Sequence, residues 1–201
     1  SLQKTVNAKE LGNLTFNTYP FAGEWKDFIG VPETNFYMLI HGSPGQGKST
    51  LCFLLAKYLT RFGKVLFVSA EEGISYSLQL KMRDTELNSN KVIFTASKKL
   101  EDIEKTIKAN DFKFCIIDSI NMLNVNAEIF DTFREKYNIA IIGILQSTKT
   151  GTFRGSQEWT HNADIVVKVE NFIANTEKGR FGVGSYTIIT KNTKENERTD
   201  N

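Results

Sequence analysis

The sequence has few residues of the kinds that build disulfide frameworks and metal centres. Its 201 residues include two cysteines and two histidines. Cys52 and Cys115 lie in apolar stretches without CxxC spacing, which favours buried free thiols in a reducing compartment over a disulfide or a metal site. His41 and His161 have no ligand-forming neighbours in the sequence, so we expect structural roles for both.

Long apolar runs and a strong net charge are also missing. No stretch approaches the roughly 20 apolar residues of a membrane span, and the opening SLQKTVNAKEL lacks the apolar core of a signal peptide. The net charge is +2, so a nucleic-acid surface would have to be a local patch. The hydrophobic fraction is 40%, which is ordinary for a globular domain. We expect a cytoplasmic protein without membrane contact.

From Phe36 onward, short apolar runs alternate with segments of helical periodicity. The apolar runs predict strands at 36–40, 65–69, 92–96, 114–118 and 139–145. The periodic segments predict helices at 49–62, with Gly63 as C-cap, and at 99–110 and 127–137. This alternation is typical of an α/β fold: a three-layer, mainly parallel twisted sheet with helices on both faces.

The two ends of the sequence are less regular. Residues 1–35 predict a lead-in segment, in which FAGEWKDFIGVPE is amphipathic enough to pack on the core. After Ala163, the stretches DIVVKVENF and FGVGSYTIIT, separated by a polar turn at ANTEKGR, predict a C-terminal β-hairpin that extends the sheet. We expect one domain over 1–195 and a polar tail over 196–201.

A glycine-rich stretch, HGSPGQGKST (41–50), lies between the first predicted strand and the first long helix. It contains GxxxxGK[ST] in the strand–loop–helix context that a phosphate loop requires. The predicted ATP-binding residues are Gly42, Ser43, Pro44, Gly45, Gln46, Gly47, Lys48, Ser49 and Thr50. Lys48 should reach the β- and γ-phosphates, and the Ser49 hydroxyl should hold Mg²⁺. The alternative is a glycine-rich turn that matches the pattern by chance.

Three later strand ends carry polar side chains suited to the same site. Asp118 could hold Mg²⁺ through water, or simply cap the next helix. Of Glu71 and Glu72, one could orient or deprotonate the water that attacks the γ-phosphate, and the other could start the following helix. Gln146 could hydrogen-bond the γ-phosphate, or be an ordinary polar strand end.

Taken together, these stretches resemble the RecA-like ATPases, and within them the RadA and KaiC-like branch. The resemblance covers roughly residues 20–195 and rests on NFYMLIHGSPGQGKSTL, LFVSAEEG, CIIDSINML and LQSTKTGTFRGSQEWTHNADIVVKVE. It implies Glu71 as the catalytic base, Gln146 as the link between nucleotide and a DNA loop, and the Gln146 strand between those of the phosphate loop and Asp118. It also implies a homo-oligomer, ring or filament, with ATP at the subunit interface. Lys191, and less surely Lys194, would reach a neighbour's ATP, the alternative being a solvated lysine.

The loop STKTGTFRG (147–155) falls where this family has its second DNA loop. Lys149 and Arg154 could contact phosphates and Phe153 could stack on a base of single-stranded DNA, the alternative being a loop with ordinary surface charges. Three functions stay open. The first is a DNA-stimulated ATPase of recombination, repair or replication; the others are a KaiC-like regulatory ATPase with protein partners and a nucleotide-binding assembly subunit with little turnover.

Overall fold

Strands and helices alternate along the computed structural model, which describes residues 5–146 and 156–193. Within these residues, the strands are β1 (Tyr37–Gly42), β2 (Lys64–Ser69), β3 (Val92–Thr95), β4 (Phe112–Asp118), β5 (Ala140–Gln146), β6 (Ile165–Glu170), β7 (Ile173–Gly179) and β8 (Ser185–Thr187). The helices are α1 (Ala8–Gly12), α2 (Glu24–Ile29), α3 (Lys48–Leu59), α4 (Tyr76–Asp84), α5 (Leu100–Lys108), α6 (Ala127–Lys136) and α7 (Ser156–His161), with a 3₁₀ helix at Ile120–Leu123.

The strands form one mixed sheet in the order β3-β2-β4-β5-β1-β6-β7-β8. The first six strands are parallel, and β7 and β8 continue the sheet in antiparallel fashion. The strand that ends at Gln146 lies between β1 and β4, as the resemblance to RecA-like ATPases implies. The predicted α/β fold class is therefore confirmed.

Alternating side chains of the strands fill two hydrophobic clusters, one on each face of the sheet. In β1, Met38 and Ile40 face the cluster that contains α3, while Tyr37 and Leu39 face the cluster of α5 and α6. This alternation follows from the period-two geometry of a strand. Because both faces are covered, the strands read in sequence as continuous apolar runs.

Only the later part of the predicted lead-in segment packs on the α3 side of the sheet; helix α1 has no buried residue, so the prediction was wrong for the earlier part. Tyr19, Phe21 and Trp25 are buried, and an isolated bridge pairs Thr18 with Glu33. The Trp25 ring stacks on Tyr186 of β8 with 4.5 Å between ring centroids. The segment therefore joins the first part of the chain to the antiparallel end of the sheet.

Two predicted boundaries were wrong. The segment 174–180 is not the hairpin turn, because β7 occupies most of it; the turn is Asn171–Phe172, and both residues have positive φ, 50° and 59°. β8 is correspondingly only three residues long. Helix α3 ends at Leu59 and is capped by Thr60, so Gly63 is not its C-cap.

Both cysteines are free and buried, as predicted. Among the helices of the described residues, none combines the length and the apolar character needed to cross a bilayer.

Candidate active site

The predicted phosphate loop joins the end of β1 to the start of α3 at the carboxyl edge of the sheet. Gly47 is the N-cap of α3 with φ +101°, and Lys48 is the first helical residue. A Cβ atom at Gly47 would lie 2.9 Å from Cδ1 of Phe172, and one at Gly42 would overlap the carbonyl oxygen of Val169. Gly42 is therefore required on steric grounds and Gly47 by its positive φ, and the α3 N-terminus is left open for an anion.

Most of the predicted site residues line one cavity of about 560 Å³ above this loop. The predicted members are Pro44, Gly45, Gly47, Lys48, Ser49, Thr50, Glu71, Asp118 and Gln146. Gly42, Ser43 and Gln46 lie on the other side of the loop, beside a smaller cavity that His41 also lines. Lys191 lines neither cavity; it lies at a separate groove between α2, α3 and β8.

Lys48 carries a buried positive charge into the cavity. Its side chain is 8% exposed, and Nζ donates to the carbonyl oxygens of Gly42 and Ser43, both at 2.8 Å. Burial lowers the pKa of the Lys48 ammonium, while the negative charges of Asp118 and Glu71 act in the opposite direction. An anion bound in the loop would stabilise the charged ammonium, so Lys48 is suited to hold phosphate.

Asp118 is the matching buried carboxyl group at the end of β4. It is 8% exposed, and burial raises its pKa, an effect that the hydrogen bond with Ser49 opposes and the charge of Glu71 reinforces. A hydroxyl and a carboxylate side by side are hard oxygen ligands of the type that Mg²⁺ prefers. Among the described residues, no group of three or more His, Cys, Asp or Glu could hold a metal ion by itself. Ser49 and Asp118 therefore fit a magnesium ion that a bound phosphate would also help to coordinate.

The two glutamates after β2 have different surroundings. Glu72 accepts a hydrogen bond from Lys81 Nζ at 2.7 Å; burial disfavours its charged form, but the hydrogen bonds from Lys81 and Ser77 outweigh burial and lower its pKa. Glu71 is exposed to the cavity, and its backbone N–H donates to the Asp118 carbonyl oxygen at 3.0 Å. Glu71 is thus held beside Asp118, while the Glu72 carboxylate is paired with Lys81 of α4. Neither starts α4, whose N-cap is Ser75.

The β6–β7 turn braces the phosphate loop from the opposite side. The Asn171 N–H donates to Gln46 Oε1 at 2.6 Å, and the Phe172 N–H donates to the Gln46 carbonyl oxygen at 3.2 Å. The Phe172 ring is half exposed and lines the cavity. Gln46 therefore fixes the loop to the antiparallel end of the sheet.

Several cavity residues were missed by reasoning from the sequence. Lys81 lies nine residues after Glu72, and the charge pattern of α4 could have indicated it. Phe172 carried no signal, because a bulky residue is not expected at positive φ. The predicted DNA contacts Lys149, Phe153 and Arg154, and also Lys194, lie outside the described residues.

Comparisons with known proteins give two kinds of similarity. The chain is 34% identical over 151 residues to the DNA repair protein RadA of Campylobacter jejuni, covering 66% of this chain and 33% of that protein. It is 31% identical over 208 residues to RadA of Helicobacter pylori, covering 90% of this chain and 46% of that protein. The chain thus spans between a third and a half of the length of these relatives. No family model matches the chain.

The fold is also found among solved structures. A KaiC-like protein of Pyrococcus horikoshii OT3 superposes with a TM-score of 0.65 and 17% identity, covering 81% of this chain and 89% of that one. Fold and phosphate loop together define a RecA-like P-loop protein. Within that class, the chain resembles the RadA and KaiC-like branch, since its sequence is similar to bacterial RadA and its fold to that of the KaiC-like protein.

Proposed function

We propose that this chain binds and hydrolyses magnesium-ATP, and that it acts in DNA recombination or repair with DNA stimulating its turnover. The observation that carries the proposal is the convergence of Lys48, Asp118 and Glu71 on one cavity above a glycine loop. The sequence identity of 31% to 34% with bacterial RadA proteins supports the DNA role. Because the chain spans less than half of the length of those relatives, the DNA role requires measurement on the chain itself.

The roles of the side chains follow from their chemistry. Lys48 and the loop amides hold the β- and γ-phosphates. Ser49 directly and Asp118 through water would hold magnesium, which when bound would neutralise charge on the phosphate oxygens. Glu71 accepts a proton from water as the water oxygen bonds to the γ-phosphorus and the bond to the β–γ bridging oxygen breaks. Gln146, opposite Gly42 in the β1–β5 register, hydrogen-bonds the γ-phosphate.

The test of the catalytic assignment compares the two neighbouring glutamates. Glu71→Gln should lower kcat at least about 100-fold, because it removes the general base, while calorimetry should find the affinity for magnesium-ATP retained. Glu72→Gln is the matched control and should keep kcat within about threefold, since its carboxylate pairs with Lys81. If Glu72→Gln abolishes turnover and Glu71→Gln does not, the assignment is wrong. A wild type that binds ATP without turnover would indicate an assembly subunit.

The DNA role is tested by ATPase assays with and without single-stranded DNA at several salt concentrations. We expect stimulation by DNA that weakens as salt rises. The double variant Lys149→Ala/Arg154→Ala should lose stimulation and keep basal turnover. Turnover that DNA leaves unchanged would contradict the DNA role and favour a regulatory ATPase with protein partners.

A further inference from the structure

β5 extends beyond the strand that pairs with it on one side. The registered pairs between β4 and β5 end at Ile117 and Gly143, whereas β1 and β5 stay in register up to Gly42 and Gln146. After Asp118 the chain leaves the sheet and enters the 3₁₀ helix. The end of β5 is therefore paired with β1 on one edge, while on the edge that faces β4 its backbone needs another hydrogen-bond partner.

Asn121, in that 3₁₀ helix, supplies the partner. Its Oδ1 accepts the backbone N–H of Gln146 at 2.8 Å. The 3₁₀ helix can approach β5 because Gly143 has no side chain; a Cβ there would overlap Cδ1 of Ile120. The Asn121 side chain thus takes the place of a paired strand beside Gln146, a residue that lines the cavity.

We propose that Asn121 is a positioning residue for phosphoryl transfer and acts through Gln146. The proposal rests on the proposed function, because it concerns the efficiency of that same site. Fixing the backbone nitrogen of Gln146 fixes the direction of its Cα–Cβ bond, and hence where its carboxamide enters the cavity. Small displacements of a group that contacts the reacting phosphate are costly in rate. The same contact links Gln146 to the segment that follows Asp118.

The first experiment measures steady-state ATP hydrolysis by Asn121→Ala. We expect kcat to fall about five- to tenfold, the size of one lost hydrogen bond, with KM for ATP within about twofold. Asn126→Ala is the matched control. Asn126 Oδ1 accepts the Ile129 N–H at 2.9 Å at the start of α6, so the control loses the same kind of bond away from the cavity. Equal effects on kcat in the two variants would overturn the proposal.

A double-variant cycle separates positioning from general loosening of the fold. Gln146→Ala removes the carboxamide but keeps the backbone N–H that Asn121 binds. If Asn121 acts through the Gln146 side chain, Asn121→Ala should lower kcat no further in the Gln146→Ala background. Effects that multiply in the double variant would show that Asn121 acts elsewhere, and would overturn the proposal.

A third measurement does not depend on turnover. In the nucleotide-free protein, the backbone amide of Gln146 should exchange with solvent faster in Asn121→Ala than in the wild type and in Asn126→Ala. Unchanged exchange would overturn the proposal. A wild type that exchanges as expected but does not hydrolyse ATP would instead contradict the proposed function, so the two failures are distinguishable.

Discussion

At the scale of single residues, the cavity contains three carboxyl groups in three environments. Asp118 is buried, Glu72 is paired with Lys81, and Glu71 faces the cavity. Glu72 fixes α4 through Lys81, while under the proposed function Asp118 would hold magnesium and Glu71 would accept a proton. Two of these environments predict opposite dependences of stability on pH.

Asp118→Asn should stabilise the nucleotide-free protein at neutral pH. Because burial raises the pKa of Asp118, the folded state binds its proton more tightly than the unfolded state does. Ionisation therefore costs stability as pH rises from the unfolded pKa of about 3.9 through the raised folded pKa, and the cost persists above it. Thermal unfolding should show a higher midpoint for Asp118→Asn at pH 7 and converging midpoints near pH 3.

The control for this prediction is Asp111→Asn, at a carboxyl that is 80% exposed and should leave the midpoint unchanged. Magnesium-ATP should raise the midpoint of the wild type more than that of Asp118→Asn, because the variant keeps Lys48 and Ser49 but loses the carboxylate that would hold magnesium through water. A lower midpoint for Asp118→Asn at pH 7 without nucleotide would contradict the assigned cost of burial.

Glu72→Gln should behave in the opposite way. Although burial disfavours the Glu72 carboxylate, the hydrogen bonds from Lys81 and Ser77 hold its pKa below the usual value, so the charged form favours folding. This contribution is present above the unfolded pKa of about 4.3 and is lost as pH falls through the lowered folded pKa. Urea titrations should show a loss of about 0.5 kcal/mol at pH 7, since the pair is partly exposed.

The difference between wild type and Glu72→Gln should disappear near pH 3. Glu86→Gln is the comparison variant, because the Glu86–Lys57 pair is longer, at 3.6 Å, and more exposed. An equal loss in the two variants would indicate that the contact between Glu72 and Lys81 has no special weight.

At the scale of elements, the phosphate loop is fixed by the strand beside it. Gly42 has φ +146°, and a Cβ there would overlap the Val169 carbonyl oxygen of β6, whereas Gly45 has φ +77° and open space around it. Gly45→Ala should cost about 1 kcal/mol, the cost of a left-handed conformation alone. Gly42→Ala should cost about 3 kcal/mol, because backbone must also move. Denaturant titrations of the two variants compare them directly; equal losses would contradict the steric account.

The parallel strands and the phosphate loop could be predicted from sequence because both depend on local patterns. Strands buried on both faces read as apolar runs, and the loop motif is contiguous. The β6–β7 turn could not, because Phe172 is not a turn residue and polar β7 resembles a loop. The choice between Glu71 and Glu72 and the role of Asn121 depend on contacts with Lys81 and Gln146, which no local pattern contains.

At the scale of the whole molecule, the position of Lys191 bears on assembly. Lys191 is exposed and lines a groove distinct from the cavity above the phosphate loop. If it neutralises charge on a transferred phosphoryl group, it must do so for the ATP of a neighbouring copy. A head-to-tail arrangement of copies, closed as a ring or open as a filament, would allow this.

Mixing two inactive variants tests this arrangement. Lys48→Ala should lose ATP binding, and Lys191→Ala should bind ATP but turn over at least about tenfold more slowly. In an equimolar mixture, an intact site arises where a Lys191→Ala subunit binds ATP and its Lys48→Ala neighbour supplies Lys191. Because each of the two positions is filled correctly about half the time, about a quarter of the interfaces in a head-to-tail assembly should be active. Lys105→Ala, at a lysine of α5 that is 77% exposed and pairs with Asp102, is the control and should be active without mixing. Suppose that light scattering shows mixed oligomers but the ATPase activity stays at the mean of the two separate variants. Lys191 would then be excluded as a residue that acts across the interface.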